Sequence, residues 1–163
     1  MNKTIYTFDD KRVVATSCDE VFENENLWEF CFRSGWGGNN EPEKGMELSK
    51  NKKYLSARVY GYSHGGKTIS LSPFSCQWDS GLIGYAIVSK EKAREWCGIK
   101  RLSKKKIGAI FKDLEEEIKE HDHILQGNVW VLNIYSGQNL DFENVYYVGE
   151  LDEKSLTEFC KGL

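Results

Sequence analysis

Residues 55–88 read L-S-A-R-V-Y-G-Y-S-H-G-G-K-T-I-S-L-S-P-F-S-C-Q-W-D-S-G-L-I-G-Y-A-I-V, and this stretch decides the fold. Three strands are predicted within it, at Leu55–Tyr62, Lys67–Ser72 and Leu82–Val88. The link Ser63–Gly66 supplies the glycines that a hairpin turn requires, so we expect the first two strands to pair antiparallel. The third is a nearly continuous apolar run, which is typical of a central strand buried on both faces.

The sequence upstream of this stretch predicts further strands. Two short ones are expected at Ile5–Thr7 and Arg12–Thr16. Leu27–Arg33 alternates with a period of two and predicts a strand with one aromatic face. Between it and the central stretch lies Ser34–Pro42, which is rich in glycine and is expected to be a long flexible loop carrying Trp36. Loops of this length are uncommon unless they have a function.

Downstream, the pattern changes to helices. Ser89 is placed to cap the start of a short helix that Gly98 ends. A long amphipathic helix is predicted after Ser103, because apolar residues recur there at helical spacing. Its polar face carries Lys104–Lys106 near the start and Glu115–Glu117 further on, an order that opposes the helix dipole. That face is either simply solvated or a surface of two signs that meets a partner.

The chain ends in a predicted hairpin and a short helix. Asn128–Tyr135 and Phe142–Val148 are the two strands, and Asp152 caps the last helix. Strands outnumber helices and are joined by short turns, while the helices come late. We therefore expect an α+β fold in which one long helix and two short ones pack on a largely antiparallel sheet. The length of 163 residues predicts a single domain spanning residues 1–163.

The balance of acidic and basic residues indicates which classes of binding partner to expect. The chain has 22 Lys and Arg against 25 Asp and Glu, which gives a formal net charge of −3. Duplex binding depends on basic side chains that displace phosphate counterions, so direct contact with duplex nucleic acid is not expected. The carboxylates are offset almost one for one, which also argues against a mimic of nucleic acid.

The cysteine spacing and the first residues of the chain indicate the cellular compartment to expect. The five cysteines show no C-x-x-C spacing, so neither a zinc ribbon nor a thioredoxin-type motif is present. The first ten residues lack the apolar core of a signal peptide, and no apolar run approaches the ~20 residues of a membrane span. We expect a cytoplasmic protein with reduced thiols and no membrane contact.

The connection Pro73–Gly81, P-F-S-C-Q-W-D-S-G, holds most of the chemistry in the chain. It combines two aromatic rings, a thiol, hydroxyls, an amide and a carboxylate. Phe74 and Trp78 are expected to anchor this loop by burial, while Asp79 and Ser80 hydrogen-bond to nearby backbone. Aromatic rings beside polar groups in a glycine-containing loop are typical of a binding pocket.

Two motifs in this region carry a resemblance: Y-x-Y-x-H-x-G-x-T-I-S from Tyr60, and P-F-S-C-x-W-D-S-G-x-x-G from Pro73 to Gly84. Together they resemble a family of small proteins encoded by tailed bacteriophages and related mobile elements. Gln77 stands where that family is expected to have Pro, and Gly65 where Ser is expected. The resemblance implies no assigned activity. It implies a setting, namely a phage or mobile-element accessory protein in the cytoplasm of a bacterial host.

Catalysis by a cysteine nucleophile is an alternative that uses Cys76, Asp79 and His64. A six-residue strand spans ~20 Å, so Lys67–Ser72 is expected to hold the histidine and the thiol at opposite ends, which weakens this reading. A metal site at His121–His123 is also disfavoured, because the segment follows a helix rather than a strand. Motifs for nucleotide cofactors and serine hydrolases are absent. We expect no metal and no cofactor.

A non-catalytic recognition protein is therefore the leading hypothesis. It would bind and inhibit a component of bacterial immunity, for example a CRISPR effector, so the expected partner is a host or defence-system protein. The alternative is a small-ligand protein, either a sponge for a nucleotide signal or a hydrolase with the three residues above. The candidate binding residues are Trp36, Tyr60, Tyr62, His64, Phe74, Ser75, Cys76, Trp78, Asp79, Ser80 and Gly81.

Overall fold

The computed structural model describes residues 3–18 and 26–163. These residues form eight strands and four helices. The strands are β1 (Lys3–Phe8), β2 (Lys11–Ser17), β3 (Glu29–Phe32), β4 (Tyr54–Ser63), β5 (Lys67–Ser70), β6 (Ser80–Ser89), β7 (Val129–Ser136) and β8 (Asn139–Val148). The helices are α1 (Pro42–Ser49), α2 (Lys90–Cys97), α3 (Lys104–Leu125) and α4 (Glu153–Lys161).

The chain divides into two compact units. The first comprises the described residues of 1–22 together with 126–163, and the second comprises those of 23–125. Each unit contains a four-stranded sheet in which every neighbouring pair of strands is antiparallel. The predicted α+β class, with antiparallel pairing and a long helix, is confirmed, although the strands are shared between two sheets rather than one. That the 163 residues form a single domain stays a prediction.

In the first unit, α4 packs on a sheet with the order β1-β2-β7-β8. The core of this unit consists of Val13, Ala15, Leu132, Ile134, Leu156 and Cys160. The two short strands predicted near the start are present as β1 and β2, which pair with each other. The predicted hairpin near the end is confirmed, as β7 pairs with β8. Asp152 caps α4 as expected, because its carboxylate accepts a hydrogen bond from the backbone N–H of Ser155 at 2.8 Å.

In the second unit, the sheet has the order β3-β6-β4-β5, with β6 in the interior as the apolar run predicts. The long helix α3 buries Ile110, Leu114 and Ile118 in a core shared with this sheet. The predicted caps of α2 are also present. Ser89 accepts from the backbone N–H of Lys92, and Gly98 ends the helix with a left-handed φ of 64°.

Helix α1 has no counterpart among the predicted helices. Pro42, which we expected to end a loop, begins the helix, where its missing N–H costs nothing. Gly45 lies against Cys31 and Tyr85 so closely that a Cβ there would be 2.6 Å from the Cys31 Cβ. Strand β3 is consequently buried on both faces, with Phe30 and Phe32 on the predicted aromatic face.

A carboxylate on α3 holds the segment that enters β3. The two oxygens of Glu117 accept hydrogen bonds from the backbone N–H groups of Leu27 and Trp28, at 2.5 and 3.1 Å. Both residues are almost fully buried, so their N–H groups have no access to water. Burial raises the pKa of Glu117 despite these two hydrogen bonds.

Replacing Glu117 with alanine is expected to destabilise the protein by about 2–4 kcal/mol, because two buried N–H groups lose their acceptor. With the pKa raised in the folded state, the folded protein binds this proton more readily than the unfolded chain. The stability that Glu117 contributes therefore falls as the pH rises above the ordinary pKa of glutamate. Urea denaturation is expected to show a larger loss below that pKa than at neutral pH.

Glu115→Ala, an exposed carboxylate on the same helix, is the matched control and should change the free energy of unfolding by less than about 0.5 kcal/mol. A loss of stability in Glu117→Ala that grows toward neutral pH would show that the hydrogen bonds outweigh the effect of burial on the pKa.

Within residues 3–18 and 26–163, no helix is both long and apolar enough to cross a membrane.

Candidate functional site

A groove of about 340 Å³ lies in the second unit, beside the turn between β4 and β5. It is formed where the connection 33–41, the end of β4 and the start of β6 come together. We call it the Trp36–Trp78 groove, and its lining residues are Arg33, Trp36, Gly61, Ser63, Trp78, Asp79, Ser80, Gly81, Leu82 and Ile83. Five of these, Trp36 and Trp78–Gly81, are among the predicted binding residues.

Trp78 is the most exposed large apolar side chain in the groove, with 97% of its surface accessible. The expectation that it anchors its loop by burial is wrong. Phe74 is half-buried and packs on Tyr62, with ring centroids 5.7 Å apart. The hydroxyl of Ser80 donates to the carbonyl of Cys76, which fixes the end of the loop. These contacts hold the backbone, so the indole of Trp78 is free to face solvent.

Trp36 is held in place from three directions. Its carbonyl oxygen lies 2.7 Å from Nε2 of His121 on α3. The ammonium of Lys67 sits 5.3 Å from the indole centroid and donates to the carbonyl of Gly35. On β4, Gly61 leaves room for the ring, since a Cβ there would lie 2.7 Å from the indole. The loop that we expected to be flexible therefore presents a fixed aromatic wall.

The structure brings His64, Cys76 and Asp79 together. Oδ2 of Asp79 is 3.2 Å from Nδ1 of His64 and accepts a hydrogen bond from the Cys76 thiol at 3.9 Å. The expectation that a strand separates the histidine from the thiol is wrong. Strand β5 has only four residues, and the connection after it returns along the sheet, so that the Ser63 N–H donates to the Asp79 carbonyl.

The order of these groups does not match a cysteine protease. Nucleophilic catalysis requires the thiol to give its proton to the imidazole, with a carboxylate orienting the far side of that ring. Here the Asp79 carboxylate lies between the thiol and the imidazole and contacts both. A carboxylate is a weak base, so Asp79 is poorly suited to remove the proton of the Cys76 thiol. Its contacts with His64 and Cys76 instead fix the conformation of the loop.

The remaining predicted residues lie outside the groove. Alternation along β4 places Tyr62 on the face opposite Gly61 and Ser63, so Tyr62 and Phe74 support the loop from behind. Tyr60 is on the same strand and pairs with Ser70 and Leu82, and Ser75 is an exposed loop residue. Tyr60 is thus next to the groove through its strand partner Leu82, but it does not line the groove itself.

Five lining residues are not among the predicted binding residues: Arg33, Gly61, Ser63, Leu82 and Ile83. Arg33 is the most informative, because it brings a cation to a groove whose other ionised group is Asp79. Its backbone N–H donates to the Ile83 carbonyl at 2.8 Å, which ties the start of the Trp36 loop to β6. Its position at the end of an aromatic strand, before a glycine-rich segment, is the signal that could have found it.

The disfavoured metal segment is part of helix α3, as its position after a helix indicates. Asp122 accepts from the Thr68 hydroxyl at 2.7 Å and the Ile69 N–H at 2.8 Å. His121 holds the Trp36 loop and packs edge-on against Phe30 and Phe32. In the part of the chain that the structure describes, no three His, Cys, Asp or Glu side chains are grouped to hold a metal ion.

No protein-family model, no curated protein and no solved structure matches the chain.

Proposed function

We propose that the protein acts without catalysis, by binding a protein partner through the Trp36–Trp78 groove. The observation that carries the proposal is the exposure of Trp78 in a loop whose backbone is fixed. An indole that is exposed to water lacks the favourable free energy that burial of its large apolar surface would contribute. Tryptophan is also among the residues that contribute most of the binding energy at protein interfaces.

The groove has the layout of such an interface. Trp36 and Trp78 supply rigid aromatic area, and Arg33 and Asp79 supply charges of both signs at its border. Ordered aromatic anchors lose little conformational entropy on binding, since their positions are set before the partner arrives. The almost fully exposed indole of Trp78 would remain largely uncovered by a small molecule, whereas a protein partner can bury it.

The partner that we propose is a component of bacterial immunity, such as a CRISPR effector. Support for this step comes from the resemblance of Tyr60–Gly84 to proteins of tailed phages and mobile elements, and from the near-neutral charge. A protein with few spare cations is suited to blocking a protein surface rather than competing for a polynucleotide. In this proposal the protein works inside a bacterial host cell.

The test is a panel of purified CRISPR effector complexes in a target-DNA cleavage assay with the wild-type protein. We expect one effector to lose cleavage activity at stoichiometric protein and to form a complex with it by size-exclusion chromatography. Uninhibited cleavage by the whole panel, together with unchanged immunity in bacteria that express the protein, would overturn the proposal of immune inhibition.

A second candidate function is supported by the contacts of Asp79 with His64 and Cys76. These groups, beside two indoles and Arg33, would suit a small nucleotide ligand or a hydrolase acting on one. This candidate predicts that Cys76→Ala or Asp79→Ala abolishes activity while the far-ultraviolet circular dichroism spectrum stays unchanged. If both variants are folded and fully active, the small-ligand function that uses these residues is excluded.

A further inference from the structure

The Trp36–Trp78 groove has two charged side chains among its described lining residues, and they differ in how far the protein itself uses them. The first is Asp79. One of its carboxylate oxygens lies 3.2 Å from Nδ1 of His64 and accepts a hydrogen bond from the Cys76 thiol at 3.9 Å. A cation that approached Asp79 from a partner would therefore share this carboxylate with two groups that already contact it.

The second is Arg33, which is exposed and takes part in none of the ion pairs found within residues 3–18 and 26–163. Its backbone is fixed on both sides, because its N–H donates to the Ile83 carbonyl at 2.8 Å and its carbonyl accepts from the Trp36 N–H at 3.3 Å. The guanidinium therefore extends from an ordered backbone at the border of the groove, and its charge remains available to a partner.

A second cation lies beside the Trp36 wall of the groove. The Lys67 ammonium is 5.3 Å from the centroid of the Trp36 indole, and it donates to the carbonyl of Gly35. Neither an aromatic ring nor a carbonyl carries a net negative charge, so these contacts do not neutralise the ammonium. Trp36 thus has one cation near its ring and another three residues before it in the chain, whereas the carboxylate of the groove follows Trp78.

We propose that the groove binds a segment of a protein partner in which an aspartate or glutamate lies beside a large apolar side chain. The apolar side chain packs against the indoles of Trp36 and Trp78, and the carboxylate pairs with the Arg33 guanidinium. Arginine holds a carboxylate through two parallel N–H···O bonds, and arginine and tryptophan are both enriched among the residues that dominate protein interfaces. This inference rests on the proposed function, because it states the chemistry of the segment that the groove would take.

A phosphate group is the other anion that arginine binds through two hydrogen bonds. The groove favours a carboxylate, because a phosphate monoester carries about 1.5 to 2 negative charges at pH 7 and would face the Asp79 carboxylate in the same groove. The repulsion from Asp79 is smaller for a carboxylate, whose single charge is matched by Arg33.

Selection from a phage-displayed library of random peptides tests this chemistry without knowledge of the natural partner. On the immobilised wild-type chain, we expect enriched peptides that carry Asp or Glu near Trp, Phe or Leu. These peptides are expected to bind Arg33→Glu at least about tenfold more weakly in fluorescence anisotropy, because the variant places two negative charges opposite each other.

Arg58→Glu is the matched control for this charge reversal. Arg58 is exposed on β4 and does not line the groove. The same change in net charge at this position should alter the Kd by less than about twofold at physiological salt, where distant exposed charges are screened.

Trp78→Ala distinguishes a failure of this inference from a failure of the proposed function. Peptides that lose binding to Trp78→Ala but bind Arg33→Glu as tightly as the wild type would overturn the acidic partner and leave the groove as a binding surface. Enriched peptides that need neither residue, or a library that yields none, would overturn both proposals. Displacement of the peptides by millimolar adenosine monophosphate would assign the cations to a phosphate ligand, which overturns the pairing with a carboxylate.

Discussion

If the Trp36–Trp78 groove binds a protein partner as proposed, replacing Trp78 with alanine is expected to weaken that binding by about 30-fold or more, with no change in the stability of the protein. A binding hot spot contributes about 2 kcal/mol or more, and every 1.4 kcal/mol is a factor of ten in Kd. The indole is 97% exposed in the free protein, so its removal leaves no cavity. Isothermal titration calorimetry with the purified effector measures the first effect, and thermal denaturation measures the second.

Met46→Ala is the control for this prediction. Met46 is also a large exposed apolar residue of the second unit, but it lies on α1 and does not line the groove. Its removal is expected to change the Kd by less than about twofold, since isolated exposed apolar residues are ordinary on protein surfaces. If both substitutions weaken binding equally, the interface extends over α1 and the groove is not its centre.

Replacing Gly84 with alanine is expected to cost roughly 3 to 5 kcal/mol and to leave the second unit largely unfolded. Gly84 has a φ of 154°, which side-chain-bearing residues rarely adopt. A Cβ there would overlap the carbonyl oxygen of Cys31 and lie 2.9 Å from the Phe32 Cα, and both are backbone atoms that cannot rotate away. The strands β3 and β4 both pair with β6 at this residue.

Gly81→Ala is the matched control, three residues earlier in the same strand. A Cβ at Gly81 meets no atom within 4 Å, so its substitution should change the free energy of unfolding by less than about 0.5 kcal/mol. Urea denaturation of the two variants separates the effect of close packing from that of losing a glycine. Equal stabilities would contradict the close approach of β3 to β6.

Most secondary-structure elements could be predicted because their signals are local. The apolar spacing from Ile107 to Ile118 predicts α3, and the side chains of Ser89 and Asp152 cap α2 and α4 as their positions indicate. A helix cap depends on residues about three positions apart in the sequence. The apolar face of an amphipathic helix depends on residues three or four positions apart. Such features are fixed before any long-range contact forms.

Features that depend on distant contacts could not be predicted in this way. Helix α1 contains a proline and a glycine, and Gly45 is there because Cys31 and Tyr85 leave no room for a larger residue. The bulge in β4 between Val59 and Tyr60 changes the register with β6. Neither the division into two sheets nor the close approach at Gly84 has a signature in a single sequence.

The candidate site was predicted in its position but not in its geometry. The Pro73–Gly81 connection does form one side of a groove, and Trp36 forms another. The contact between His64 and Asp79 depends on the path of that connection, which strand length alone does not determine. Burial of Trp78 was inferred from its apolar character, yet Phe74 on Tyr62 already anchors the loop.

The most direct test of the central claim, that the Trp36–Trp78 groove contacts the partner, is site-specific photocrosslinking. The photoreactive residue benzoylphenylalanine is placed at Leu82, which is 39% exposed and lines the groove, or at Met46 on α1. Each protein is irradiated with the effector identified in the cleavage assay, and covalent adducts are resolved by denaturing electrophoresis. We predict an adduct from position 82 and none from position 46. An adduct from position 46 alone would contradict the account.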